Sequence, residues 1–120
     1  MKNNIIADKS NAFSIRVTNA FKYLCANGKR IAMFDQFLNS GTAIGALVHE
    51  AEFAQSGKDF INKMSIALKE ANENKYWIGV LHSGGYFDDA AHNSILEDCK
   101  ELVAILVSIV NTAKTTTPPE

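Results

Sequence analysis

The sequence predicts an all-α domain of four helices, and three observations predict it. Apolar residues recur at spacings of three and four, the β-branched alternation that marks strands is missing, and proline is absent until Pro118 and Pro119. Breaks fall at Asn27-Gly28, near Ser56-Gly57 and at Ser83-Gly84-Gly85, where Gly and Asn tolerate the left-handed backbone that ends a helix. Three breaks leave four helices. A chain of 120 residues with 47% apolar content suits one compact domain, residues 1–120, with a sizeable core.

The first helix is expected over residues 10–26, with Asp8 or Ser10 as its N-cap. Phe13, Val17, Ala20, Phe21, Leu24 and Cys25 fill one arc, and Lys9, Arg16 and Lys22, with the following Lys29 and Arg30, project opposite. Ile15 and Tyr23 share that basic arc. The second helix is expected over residues 29–54, burying Phe34, Phe37, Leu38, Ile44, Val48 and Ala51. Its Gly41 and Gly45 lie on the apolar arc, where an interior glycine costs about 0.5–1 kcal/mol relative to alanine, so close approach by another helix is expected there. A phosphate loop at Ser40-Gly41-Thr42 is a poor reading, because the lysine and the preceding strand of that motif are missing.

The third helix is expected over residues 57–81, with Ser56 and Asp59 resembling a capping box and Phe60, Ile61, Met64, Ala67, Leu68, Ala71 and Ile78 as its core stripe. Lys75 intrudes on the stripe and is expected to snorkel outward. Ile66, Trp77 and Val80 form a second, narrower apolar strip. The fourth helix, residues 89–114 capped by Asp88 or Asp89, is apolar over more than half its circumference and should be buried on more than one side. Residues 115–120 read as a disordered tail.

Charge and cysteine usage narrow the class further. The net charge is −1, but Lys2, Lys9, Arg16, Lys22, Lys29 and Arg30 make the first 30 residues basic, and acids dominate from residue 78 onward. No apolar run approaches the ~20 residues that span a bilayer, and the first residues lack the apolar region of a signal peptide, so a cytoplasmic protein is expected. Cys25 and Cys99 lie far apart among apolar neighbours, as buried free thiols do; no Cys-x-x-Cys pair is present.

Taken together, Gln36, Ser40-Gly41-Thr42, Ile44-Gly45-Ala46, Glu50-Ala51, Ser56, Asp59-Phe60-Ile61, Ile66-Ala67-Leu68-Lys69-Glu70-Ala71 and Tyr76-Trp77 resemble the four-helix-bundle family of 23S rRNA intervening-sequence proteins, also called the S23 family. Ile6, Lys9-Ser10 and Phe13 fit the same pattern, so the resemblance covers residues 4–110. It implies an up-down-up-down left-handed four-helix bundle that assembles as a homopentamer. It also implies bacterial proteins encoded within intervening sequences of ribosomal RNA genes. A related branch serves diversity-generating retroelements as an accessory protein that binds nucleic acid and a reverse transcriptase. No catalytic residue is implied. The chain departs from the pattern where Ala43 and Leu47 replace Ser and Asn, and where Asn74 replaces Thr. A polar strip on the second helix, which also holds Gln36 and Glu50, has thereby partly turned apolar, more adhesive and less chemical.

Each candidate site has a plainer counterpart. The arc of Lys9, Arg16, Lys22, Lys29 and Arg30 is the candidate for RNA or DNA, since clustered cations release counterions on binding a polyanion; a solvated helix face is the ordinary alternative. His82, Asp88, Asp89 and His92 include an Asp-x-x-His spacing, but the Glu-x-x-His pairs of carboxylate-bridged metal bundles are missing, so loop capping is expected and no metal or cofactor. Glu50, Glu70 and Glu73 do not suggest paired glycosidase acids, and His49 has no nucleophile at supporting spacing. The expectation is therefore a non-enzymatic protein. Ile15, Tyr23, Ala43, Leu47, Ile66, Trp77 and Val80 exceed what one bundle core needs and are the candidate surface for self-association, or for a protein partner without nucleic acid.

Overall fold

The computed structural model describes residues 4–116. The chain forms four helices, α1 (Asn4–Leu24), α2 (Ala32–Ala51), α3 (Gly57–Ser83) and α4 (Asp89–Thr116), with no strand among the described residues. Each helix packs against its neighbour in sequence, and α4 returns to α1 along the sparsest of the four seams. The backbones of α1 and α3, and of α2 and α4, do not approach one another, so each pair stands across a diagonal.

Side-chain pairings fix the direction of every seam. A Cβ at Gly41 would meet Val17 and one at Gly45 would meet Ser14; Asn74 bonds to Phe37 and Ser40; His82 meets Asp89 and Cys99 meets Ala71; Lys9 meets Glu101 and Arg16 meets Asp98. Rising numbers on one helix meet falling numbers on the other at the α1–α2, α3–α4 and α1–α4 seams, which makes α2 and α3 antiparallel as well. This is the up-down-up-down bundle, drawn out to 51 × 22 × 21 Å.

The core draws on all four predicted stripes and adds Ile6, Leu81 and Phe87 from outside them, while the predicted Leu38, Phe60 and Leu68 are only partly buried and Ile61 stays outside the core. Phe13 and Val17 of α1, Phe34, Phe37, Ile44 and Val48 of α2, Met64, Ala67, Ala71 and Ile78 of α3, and Ile95, Cys99, Leu102 and Leu106 of α4 are all buried. Gly41 and Gly45 are close-packing points, as expected: a Cβ on Gly41 would lie 2.7 Å from a Val17 methyl, and one on Gly45 2.9 Å from Ser14 Oγ. Gly45 also lets α1 and α2 approach backbone to backbone, with the Ser10 carbonyl oxygen 3.2 Å from where its Cβ would stand, and Gly41 makes room for the Val17 and Asn74 side chains.

The helix ends differ from the sequence reading in several places. α1 begins at Asn4 and not at residue 10, so neither Asp8 nor Ser10 is its cap. Ser10 is buried and its hydroxyl donates to the Ala7 carbonyl, while Ile6 joins the core; a polar residue inside the helix was mistaken for a boundary. α2 begins at Ala32 and not at residue 29, because Gly28 turns the chain at φ +78° and Ile31 remains extended. It ends at Ala51 and not at 54. α3 runs two residues further than expected, to Ser83, and α4 extends through Thr115 and Thr116, which belong to the expected tail. The rest of that tail, residues 117–120, lies outside the described residues.

Two turns are well determined by their own hydrogen bonds. Ser56 Oγ accepts from the Asp59 N–H at 3.0 Å, and the Asp59 carboxylate accepts from the Gln55 N–H at 3.2 Å, so the expected cap forms with Asp59 reaching one residue further back than a capping box does. Lys63 first, and that Gln55 N–H second, hold the Asp59 carboxyl below its ordinary range. At the end of α3, Tyr86 N–H reaches the Leu81 carbonyl at 2.8 Å and Gly85 N–H the His82 carbonyl at 3.0 Å, with Gly85 at φ +85°. This closure drives Phe87 into the core, edge-on to Phe37 at 5.6 Å, and sets Tyr86 edge-on to Phe34 at 5.1 Å.

Candidate interaction surfaces

The helical wheel of α1 turns its basic arc toward α4, and α4 answers with acids. Lys9 Nζ lies 3.1 Å from Glu101, and Arg16 Nη1 lies 2.6 Å from Asp98 while its Nη2 donates to Ser94 Oγ at 2.7 Å. In the following loop Arg30 donates to Asp35 at 2.8 Å and covers the Phe21 ring at 5.5 Å. Three of the five candidate cations for nucleic acid are therefore engaged within the chain. Lys22 and Lys29 are exposed and form no ion pair among the described residues.

The apolar candidates separate into two groups, one on α1 and one along α2 and α3. On α1, Ile15 is 57% and Tyr23 69% exposed, the ordinary sign of an unpartnered face. On the other diagonal side, the α2–α3 register set by Asn74 opposite Phe37 and Ser40 brings Leu47 level with Ile66 and Ala43 level with Glu70. Leu47 and Trp77 pack partly on the core; Ala43, Ile66 and Val80 are half-buried. These five line one seam as a shelf, with Glu50, Glu70 and Glu73 along it. None of the three acids forms an ion pair among the described residues.

The turn between α3 and α4 uses its polar groups locally. Asp88 caps α4 by accepting from the Ala91 N–H at 2.8 Å, His82 Nε2 lies 2.7 Å from Asp89, and the His82 and His92 rings stack at 3.9 Å. Among the described residues no three His, Cys, Asp or Glu side chains gather as metal ligands would. Cys99 is buried with Sγ donating to the Ala71 carbonyl, and burial pushes its thiol up to about 12, away from thiolate chemistry. Cys25 is half-buried; both thiols are free.

Some features escaped the sequence reading. Ile5 and Phe53 are strongly exposed, and Gly79 opens a shallow groove on α3 lined by Asn72, Lys75, Tyr76, Val80 and Ser83. Nothing lies within 4 Å of a Cβ placed at Gly79, so it is a notch in the surface. The apolar count gave no signal for it, since a missing side chain scores as nothing. No helix among the described residues is long and apolar enough to cross a membrane.

A comparison with curated proteins finds no match. Among solved structures, a protein of unknown function from the S23 ribosomal protein family of Bacteroides thetaiotaomicron shares the fold with a TM-score of 0.85. It is 46% identical over 88% of this chain and 97% of its own. The family model described as 23S rRNA-intervening sequence protein matches residues 2–108, and a match of that extent on the same four antiparallel helices makes this chain a member of the 23S rRNA-intervening sequence protein family.

Proposed function

We propose that this protein is a non-catalytic helical-bundle component that assembles with its own copies into a ring, of five members as the sequence resemblance implies. The observation that carries the reading is the outward display of Ile15 and Tyr23 on a helix whose opposite face already fills the core. A bundle that gained nothing by association would place polar residues there. The second apolar shelf, on Ala43, Leu47, Ile66, Trp77 and Val80, supports the same reading, because a ring needs two different surfaces on each member. Light scattering on the purified chain tests it. The expected mass is a multiple of 13.1 kDa, and a mass equal to one chain contradicts it.

The family's name ties it to a ribosomal RNA insertion, and a nucleic-acid contact is the second reading. Its support is narrower than the sequence suggested: Lys22 and Lys29 are the cations of the arc left without an acidic partner among the described residues. Retardation of RNA or DNA at low salt, weakening steeply as salt rises, is the result that reading requires. A nuclease-resistant protein captured with the chain would favour an adaptor instead.

A further inference from the structure

Resting on the self-assembly reading, we propose that the contact between copies is head-to-tail: the outer strip of α1 on one copy docks on the α2–α3 shelf of a second copy. Ala12, Ile15, Asn19 and Tyr23 are all exposed and follow one line along α1, at steps of three and four residues. Ile66, Glu70, Glu73 and Trp77 follow a matching line along α3.

The heights of the two lines agree. Gly41 lies against Val17, and Asn74 lies against Phe37 and Ser40, so counting along α2 places Tyr23 at the height of Trp77, Ile15 at that of Glu70 and Ala12 at that of Ile66. Because α1 and α3 run in the same direction, rotating a copy about an axis parallel to the helices sets the strips side by side without a slide. The strips are unlike, so each copy keeps one of each kind open until a ring of three or more closes.

Charge selects a second copy as the occupant. The α1 strip ends near Lys22 and the following Lys29, and the shelf carries Glu50, Glu70 and Glu73; none of the five forms an ion pair among the described residues. Lys69 lies on α3 beyond Glu73, turned away from the seam, and Asp8 lies at the far end of α1. An acidic shelf repels a polyanion and suits the basic end of α1; Lys22 stands about one helical turn from the level of Glu73.

Light scattering of the full chain and its surface variants tests the pairing, with circular dichroism confirming that each variant is folded. The expected wild type is an oligomer of three or more copies. Tyr23→Glu should yield monomer, Lys22→Glu should raise the dissociation concentration by ~tenfold or more, and adding Glu73→Lys to Lys22→Glu should restore assembly. A wild-type mass of 13.1 kDa overturns the self-assembly reading together with this pairing. A two-copy assembly, an oligomer indifferent to both single substitutions, or a charge swap that restores nothing overturns the pairing and leaves self-assembly standing.

Discussion

Asn74 of α3 donates from Nδ2 to the Phe37 carbonyl of α2 at 2.9 Å and to Ser40 Oγ at 3.1 Å, in a position with no exposure to solvent. The Ser40 hydroxyl in turn donates to the Gln36 carbonyl at 2.8 Å, so a short polar chain runs along the α2–α3 seam. The seam therefore has one register at which the Asn74 amide protons and the Ser40 hydroxyl find acceptors, which an all-apolar interface would not specify. Asn74→Ala should destabilise the protein by about 1–3 kcal/mol, read as a lower urea midpoint. An unchanged or raised midpoint would mean that burying the amide, whose Oδ1 has no partner among the described residues, costs at least as much as its two bonds return.

Two helical glycines should respond with opposite signs. At Gly41 an added Cβ meets Val17 methyls at 2.7 and 2.8 Å and Asn74 Nδ2 at 2.9 Å, so Gly41→Ala should destabilise by about 1–3 kcal/mol despite alanine's better helix propensity. Gly79 has nothing within 4 Å, and Gly79→Ala should stabilise the isolated chain by about 0.5–1 kcal/mol. Thermal melts of the two variants, side by side, check the contrast.

The bundle was legible because its signals are local. Stripes at three and four residues, the Asn27-Gly28 and Ser83-Gly84-Gly85 breaks and the Ser56–Asp59 cap all lie within a few residues of what they determine. Ser10 misled because a serine at a helix start and a serine donating to a carbonyl three residues back look alike in one dimension. The pairing of Lys9 and Arg16 with Glu101 and Asp98 was not legible at all, since it joins residues 82 or more positions apart and depends on which way α4 faces. Asn74 carried a readable signal that went unused: it stands in phase between Ala71 and Ile78, where a polar residue needs a buried partner. Of the candidate surface, Ile15 and Tyr23 could be read from the wheel, but the meeting of Leu47 with Ile66 required the register.

The Arg16–Asp98 contact is partly solvated, so its worth should be small even at 2.6 Å. A double-mutant cycle with Arg16→Ala and Asp98→Ala should give a coupling of about 0.2–1 kcal/mol that shrinks in high salt. Coupling above that range would show the α1–α4 seam to be more desolvated than its exposure suggests.

Cys99 sets an alkaline limit on stability. Its thiol is pushed from 9.0 to about 12 by burial, so below about pH 9 it is protonated in both folded and unfolded chains and contributes no pH dependence. Above that, the unfolded chain binds fewer protons, and stability should fall as pH rises toward 12, by at most about 1.4 kcal/mol per unit. Urea midpoints of wild type and Cys99→Ala between pH 8 and 10.5 isolate the effect, whose slope should be steeper in wild type. The same burial should leave Cys25 to react with a thiol reagent well before Cys99.

If the outward apolar faces of the bundle are covered by its own copies, native mass spectrometry counts those copies directly. A closed assembly of at least three 13.1 kDa chains, held across a range of protein concentrations, is the predicted result. A single 13.1 kDa species under the same conditions would contradict it.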